Sequence, residues 1–229
     1  MSHLPTAVIN AAGRGTRMGQ SRPKCLTPIL GKPLIRWQLQ ALAPFTRITV
    51  AVGYCSQDVM DAVRAIRPDA NFVTNADYST TGTAASLSMA AATSPGPVLS
   101  IDGDLLVHPA DLLALATPPF PAIGVCKAQS LVPVYVKLKP ADDNVLYAYS
   151  FHHSEEGLPP IDDLEWTGLI CFDPRTQAVS GSGHVYQMIT PLLPCRAIPV
   201  RCREIDFPSE IAAMEMWLNR LIDERAFDG

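Results

Sequence analysis

The densest chemistry in the sequence lies in Asn10-Ala-Ala-Gly-Arg-Gly-Thr-Arg-Met-Gly19 and the Pro23-Lys24-Cys25-Leu26 that follows it. This segment comes directly after an apolar run. Its small residues let the backbone approach a ligand and turn successive N–H groups toward phosphate oxygens. Arg14, Arg17 and Lys24 add cationic groups to the same loop. A glycine pair alone also makes an ordinary turn, and it is the neighbouring cations that point to a polyanion. Neither familiar glycine loop fits the spacing: a Walker loop needs GxxxxGK[ST], and a dinucleotide fold needs GxGxxG with an acid about twenty residues on. Here Gly13, Gly15 and Gly19 give GxGxxxG, and Gln38 and Gln40 stand where the acid would be sought.

Two acidic segments lie further along. Ser100-Ile-Asp-Gly-Asp104 ends a second apolar run, and Arg203-Glu-Ile-Asp206-Phe-Pro precedes an amphipathic stretch. Carboxylates at the C-terminal edge of a strand lie at the crevice where open α/β sheets bind ligands, and hard oxygens suit Mg2+. Each has a plainer alternative, since aspartates favour turns and an acid ahead of a helix caps it.

The elements that must carry these residues alternate. Leu4 to Ala11, Ile48 to Gly53, Asn71 to Thr74 and Val98 to Ile101 are short apolar runs rich in β-branched residues and predict buried strands. Between them Pro33 to Leu42, Ser56 to Ile66 and Thr83 to Ala92 predict helices. Strict alternation implies a parallel, doubly wound sheet. The second half differs: Val132 to Leu138 and Val145 to Phe151 flank the turn-like Pro140–Asn144 and predict an antiparallel hairpin. Trp166 to Phe172 predicts a further strand, His184 to Ile189 a short helix, and Ala197 to Arg203 an edge strand. Pro208 to Ile222 predicts a final amphipathic helix. The expectation is one domain over 1–229, with a β-rich lobe at about 128–172 covering the open ends of the strands.

Composition sets outer bounds. The 229 residues are 48% apolar and 17% charged, enough to bury a large core and too apolar for disorder. Eighteen basic against twenty-two acidic residues give −4, without the basic footprint of a general nucleic-acid binder. Cys25, Cys55, Cys126, Cys171, Cys195 and Cys202 are scattered with no CxxC pair, so reduced thiols are expected. No apolar run reaches the roughly eighteen residues of a membrane-spanning helix. MSHLPTAVINAAGRG lacks a basic leader followed by a long apolar segment, so the expected location is cytoplasmic.

Ala11-Ala-Gly-Arg-Gly-Thr-Arg-Met18 with Pro23-Lys24 resembles the signature of the nucleotidyltransferases that activate phosphorylated sugars, choline phosphate and aminophosphonates with nucleoside triphosphates. The resemblance extends over nearly the whole chain. It implies a Rossmann-like three-layer α/β/α fold with a mixed, mainly parallel sheet and a small β-rich insertion lobe. It also implies that the loop around Gly13, Gly15 and Thr16 wraps the triphosphate, beside Arg14. Arg17 would then hold the β- and γ-phosphates, and Lys24 would bridge the reacting phosphates. Asp104 and Asp206 become the ligands of one Mg2+, with Asp102 near the ribose or a metal-bound water.

Asn75-Ala-Asp-Tyr78 and Gly82-Thr-Ala-Ala-Ser-Leu87 resemble the family segment that meets the base. With it, Ala11, Ala12, Gly53, Tyr54, Asn75, Thr83 and Ser86 are expected near base and ribose. Their small size favours a pyrimidine, hence CTP. No Glu-Lys-Pro segment of the sugar-1-phosphate branch occurs. Glu165-Trp-Thr-Gly-Leu-Ile-Cys-Phe172 instead resembles a strand of the choline-phosphate and aminoethylphosphonate cytidylyltransferases, although Gly82-Thr83-Ala84 resembles a turn of the sugar enzymes. The expected acceptor is phosphocholine or 2-aminoethylphosphonate, met by Glu165, Trp166, Tyr149 and Tyr186. Tyr147, Asp162 and Asp163 are further candidates, and His152 and His153 would suit an anionic acceptor. A sugar-1-phosphate transferase and a nucleotide-binding regulator without catalysis are the alternatives. The edge strand would offer a surface for a homodimer.

Overall fold

A computed structural model of the chain describes residues 4–19, 21–130, 133–141, 145–153 and 164–227. β1 (Thr6–Ala11) is buried along its whole length, as expected of a strand covered on both faces. Two short strands, β2 (Pro28–Ile29) and β3 (Lys32–Pro33), form a separate ribbon leading into α1 (Leu34–Ala41). Alternation continues through β4 (Ile48–Val52), α2 (Ser56–Arg64), β5 (Asn71–Thr74), α3 (Thr83–Ala92) and β6 (Val98–Asp102). Next come β7 (Leu105–Val107), α4 (Pro109–Leu115), β8 (Ala122–Cys126), β9 (Val134–Pro140), β10 (Leu146–His153) and β11 (Leu164–Phe172). The chain closes with α5 (Val185–Ile189), β12 (Cys195–Pro199), β13 (Cys202–Glu204) and α6 (Ile211–Asp223).

Nine strands make one sheet in the order β5-β4-β1-β6-β11-β8-β12-β10-β9. β5, β4, β1 and β6 are parallel to one another, and β12 is parallel to β8. β11 runs antiparallel to both β6 and β8, and β10 antiparallel to both β12 and β9. The mixed sheet is therefore mainly unidirectional, with β10 and β11 reversed.

Side-chain alternation on β1 separates the layers. Ala7, Ile9 and Ala11 join the apolar cluster containing residues of α1, α2, α4 and α6, whereas Val8 joins the cluster containing residues of α3 and α5. This is the expected α/β/α arrangement. The hairpin of β9 and β10 forms where predicted, apart from Val132 and Asp142–Asn144, which lie outside the described residues. β9 also pairs with β11, so β11, β8, β12, β10 and β9 close into a ring.

The predicted edge strand over Ala197 to Arg203 needs correction. β12 lies between β8 and β10, paired on both sides, and β13 leaves the sheet to pair with β7. The break falls at Val200–Arg201, where the Arg201 side chain is held by Asp111 at 2.8 Å and its carbonyl accepts from the His108 N–H. β12 is therefore not an edge strand of the main sheet, and β13 is paired on one side only, with β7.

Candidate active site

A cavity of about 670 Å³ opens beyond the C-terminal ends of β1, β5 and β6, the usual ligand position in such sheets. Ala11, Ala12, Gly13, Gly15, Thr16, Arg17 and Lys24 form one wall, and Asn75, Thr83 and Ser86 lie on another. Asp102, Asp104, Glu165, Trp166, Tyr186 and Asp206 complete it. Arg14, Gly53, Tyr54 and Tyr149 are not among the lining residues. The Arg14 guanidinium stands over the Tyr54 ring at 5.4 Å, and Tyr149 is exposed, its ring beneath the Lys139 ammonium at 4.9 Å.

The first loop is shaped around Lys24. Gly15 has φ +60°, and a Cβ there would lie 2.5 Å from Lys24 Cγ, so glycine supplies both the left-handed turn and the room for the lysine stem. The chain on either side of Lys24 is pinned by Met18 and Cys25, both in the core. On the far side, Asn75 donates from Nδ2 to Ser86 Oγ and Thr81 Oγ1, both at 3.0 Å, and accepts from the Asp77 N–H at 3.0 Å. Its side chain thus fixes the turn from β5 into α3.

Lys24 Nζ donates to Asp104 Oδ2 at 2.8 Å and to Asp206 Oδ1. Arg17 pairs with the other Asp206 oxygen at 2.5 Å. Asp104, Glu204 and Asp206 each offer an oxygen, all within 4.8 Å of one another. Glu204 and Asp206 are two apart in an extended segment, which puts both carboxylates on one face. An ammonium already bridging two carboxylates, with a third beside them, marks a place for positive charge. This all-oxygen donor set fits a hard divalent cation such as Mg2+.

Charge accumulation shifts the local acids. Burial, then the Asp104 charge, pushes Asp102 up to about 7, against the hydrogen bond from Asn10. Burial followed by Asp104, Asp206 and Asp102 pushes Glu204 up to about 9. Burial disfavours the Lys24 ammonium, yet Asp104 and Asp206 outweigh it and hold its pKa above the usual value.

A raised carboxyl pKa means the folded protein binds that proton more tightly than the unfolded chain does. The associated stability is complete below the ordinary value of 3.8 and is lost as pH rises through about 7. In chelator, the melting temperature should therefore fall between pH 5 and pH 8. Asp102→Asn should make that decline shallower and leave the part due to Glu204, which continues toward pH 9, and thermal melts across this range measure it.

Trp166, His184 and Tyr186 also line the cavity. Trp166 sits 5.7 Å from Phe151 and 6.4 Å from Tyr186, and His184 stacks on Tyr186 at 5.7 Å. The Trp166 indole N–H donates to the Leu169 carbonyl at 3.0 Å, so its ring is anchored. Glu165 accepts from the Gln129 and Ser130 N–H groups at 2.7 and 3.2 Å and from Ser130 Oγ at 2.5 Å. It organises that loop while lining the cavity. Asp162 and Asp163 lie outside the described residues. Among the described residues, the Arg and Lys side chains lining the cavity are Arg17 and Lys24, both at the glycine-loop end.

A family model described as a MobA-like NTP transferase domain matches residues 7–135, from β1 into β9. The chain belongs to that family. Among curated relatives, CMP-5'-(3-aminopropyl)phosphonate synthase of Streptomyces rubellomurinus is 32% identical over 151 residues, covering 62% of this chain and 24% of that protein. A bifunctional protein GlmU of Gluconacetobacter diazotrophicus is 52% identical over 54 residues, 23% of this chain and 12% of its own length. The matched regions therefore span about a quarter or less of these curated relatives.

Solved structures carry the likeness across the NTP-transferase fold. The inositol-1-phosphate CTP transferase from T. maritima superposes with TM-score 0.71 at 16% identity, covering 91% of this chain and 92% of that one. CTP:phosphocholine cytidylyltransferase from Streptococcus pneumoniae gives 0.68 at 17%, covering 94% and 99%. UDP-glucose pyrophosphorylase from Acinetobacter baumanii gives 0.70 at 12%, covering 96% and 99%. At these identities the likeness is one of fold, the Rossmann-like α/β arrangement.

Glu204 is the acid that sequence reasoning passed over in favour of Asp206. The period-two spacing of Glu204 and Asp206 was the available signal. Gly168 also lines the cavity. It has φ +82°, and a Cβ there would lie 2.6 Å from Asp102 Oδ2, a close approach between strands distant in sequence that spacing does not reveal.

Proposed function

We propose that this chain is one nucleotidyltransferase domain over 1–229, with its insertion at about 128–172. It transfers CMP from CTP to a small phosphorylated or phosphonate acceptor such as phosphocholine or 2-aminoethylphosphonate, releasing pyrophosphate. The observation that carries the reading is the cavity's lining: Arg17 and Lys24 from the glycine-loop side, the Asp104–Glu204–Asp206 cluster beside Lys24, and a further part formed by Glu165, Trp166 and Tyr186. A triphosphate suits the glycine-loop side. An acceptor whose far end is cationic or neutral suits the further part, because it offers no lysine or arginine among the described residues and aromatic faces attract ammonium groups.

In the reaction, an acceptor oxygen attacks the α-phosphorus in line. The new P–O bond forms as the bond to the bridging oxygen breaks, and its electron pair leaves with pyrophosphate. The protein needs no nucleophile of its own. Its task is to bring two anions together, which positioned cations achieve by cancelling charge and fixing approach geometry. The N–H groups of Gly13, Gly15 and Thr16 cradle the phosphates with Arg14 alongside, Arg17 grips the outer pair, and Lys24 spans donor and acceptor. Ala11, Ala12, Asn75, Thr83 and Ser86 frame base and ribose. Asp104 and Asp206, with Glu204, would hold Mg2+, which when bound supplies Lewis-acid stabilisation to the phosphates.

The Streptomyces relative, named for a CMP-aminopropylphosphonate product, supports the acceptor class. A sugar 1-phosphate is the second reading, favoured by the GlmU relatives and the Gly82-Thr83-Ala84 turn. A pyrophosphate-release screen should separate the two by crossing four nucleoside triphosphates with phosphocholine, 2-aminoethylphosphonate and sugar 1-phosphates. Release with CTP and an amino-bearing acceptor is expected. Release only with a sugar phosphate would transfer the assignment to the second reading, and tight nucleotide binding without release would leave a non-catalytic regulator.

A further inference from the structure

Gln38 stands on the buried face of α1 among Leu34, Ile35 and Leu39 and is 3% exposed. An amide in such a place is costly unless its hydrogen bonds are made. Its Nε2 donates to the Asp102 carbonyl at 2.9 Å and to the Leu105 carbonyl at 2.7 Å. Both partners are acceptors only, so the amide's orientation is fixed by chemistry. These carbonyls flank Gly103–Asp104, and the one NH2 group clamps the turn from either end.

Other parts of the turn are tied elsewhere. The Gly103 N–H donates to the Asn10 carbonyl at 3.0 Å, linking the turn to the glycine loop. The Asp104 carbonyl accepts from the Ile205 N–H at 3.1 Å, linking it to the segment between Glu204 and Asp206. Meanwhile Gln38 Oε1 is buried with no partner. What the amide supplies here is its two donors to the turn, and it keeps them although its Oε1 stays unsatisfied in the core.

We propose that Gln38 is a positioning residue: by holding the 102–105 turn from beneath, it sets where the Asp104 carboxylate stands relative to Glu204 and Asp206. The inference rests on the reading of those carboxylates as a divalent-cation site. Groups that orient ligands without touching the ion typically change metal affinity or activity by about 10–100-fold when removed.

The test uses the full chain, without nucleotide, and Mn2+ as the probe followed by electron paramagnetic resonance. Gln38→Met keeps the length and removes both donors. It should raise the Mn2+ Kd by about tenfold or more, and hydrogen exchange at the 102–105 amides should accelerate. Gln38→Leu, which removes both donors and the unpaired Oε1 without adding charge to the core, should weaken Mn2+ binding in the same direction and covers a Gln38→Met protein that does not fold. Leu39→Ala, from the same helix but with no hydrogen-bonding group, should lower the melting temperature and leave the Mn2+ Kd unchanged. Wild-type affinity in the Gln38 variants, or an equal loss in Leu39→Ala, overturns the positioning role. A wild-type protein that binds no Mn2+ overturns the cation-site reading and this inference with it.

Discussion

Lys24→Ala should fold, retain nucleotide binding within a modest factor, and lose about two to three orders of magnitude in kcat, the scale of removing one preorganised charge-stabilising donor. The ammonium lies between Asp104 and Asp206 before any substrate arrives, so the lost group is not a mobile surface charge. Removing it leaves those carboxylates facing one another and Glu204 with less compensation. The variant should therefore melt below wild type in chelator and recover part of the difference when Mg2+ is added. Circular dichroism checks the fold, and pyrophosphate release with the best substrate pair from the screen measures turnover. Near wild-type turnover would remove Lys24 from the chemistry.

Asp206→Asn should cost about 100-fold or more, in keeping with the several kcal/mol that Lewis-acid stabilisation supplies. The side chain holds Arg17 through one oxygen and Lys24 through the other. The amide keeps the shape and loses the charge that draws a divalent ion, so raising Mg2+ should restore part of the activity. Activity measured against Mg2+ concentration reads this directly. If the dependence matches wild type, Asp206 is only an organiser of the two cations and the cation site lies elsewhere. Asp104→Asn is the companion measurement, and it retains the Arg17 contact.

Legibility in the sequence followed the physics of each segment. β1, β4, β5 and β6 were readable because strands buried on both faces are continuous apolar runs, and α2 and α6 because one stripe of each is apolar. Lys24, Arg17, Asp104 and Asp206 stood out as charged groups beside glycines or at strand ends, and the fold gathers them around one cavity. β7, β8 and α4 were passed over, since they are short and β8 follows a proline-rich stretch at Pro118–Pro121.

Other features depend on pairings that lie far apart along the chain. β12 was read as an edge because its own residues do not reveal that β8 and β10 lie on both sides. Glu165 lines the cavity, and its hydrogen bonds to Gln129 and Ser130, from a loop 35 residues away, are a further role that spacing does not reveal. Tyr149 is exposed at an irregularity in the β9–β10 pairing between Ala148 and Ser150, a local shift of register that the hairpin's turn does not determine.

The double pairing of β9 has a consequence for how this protein behaves at high concentration. Because β9 is bonded to β10 on one side and, at Tyr135 and Val136, to β11 on the other, the strand order of the nine-stranded sheet ends openly at β5, among the described residues. That rim is four residues long, Asn71–Thr74, and carries a polar residue at each end. It is too short a template for amyloid-like growth or for intermolecular strand exchange. Strand pairing through this rim would therefore add little to any association of copies.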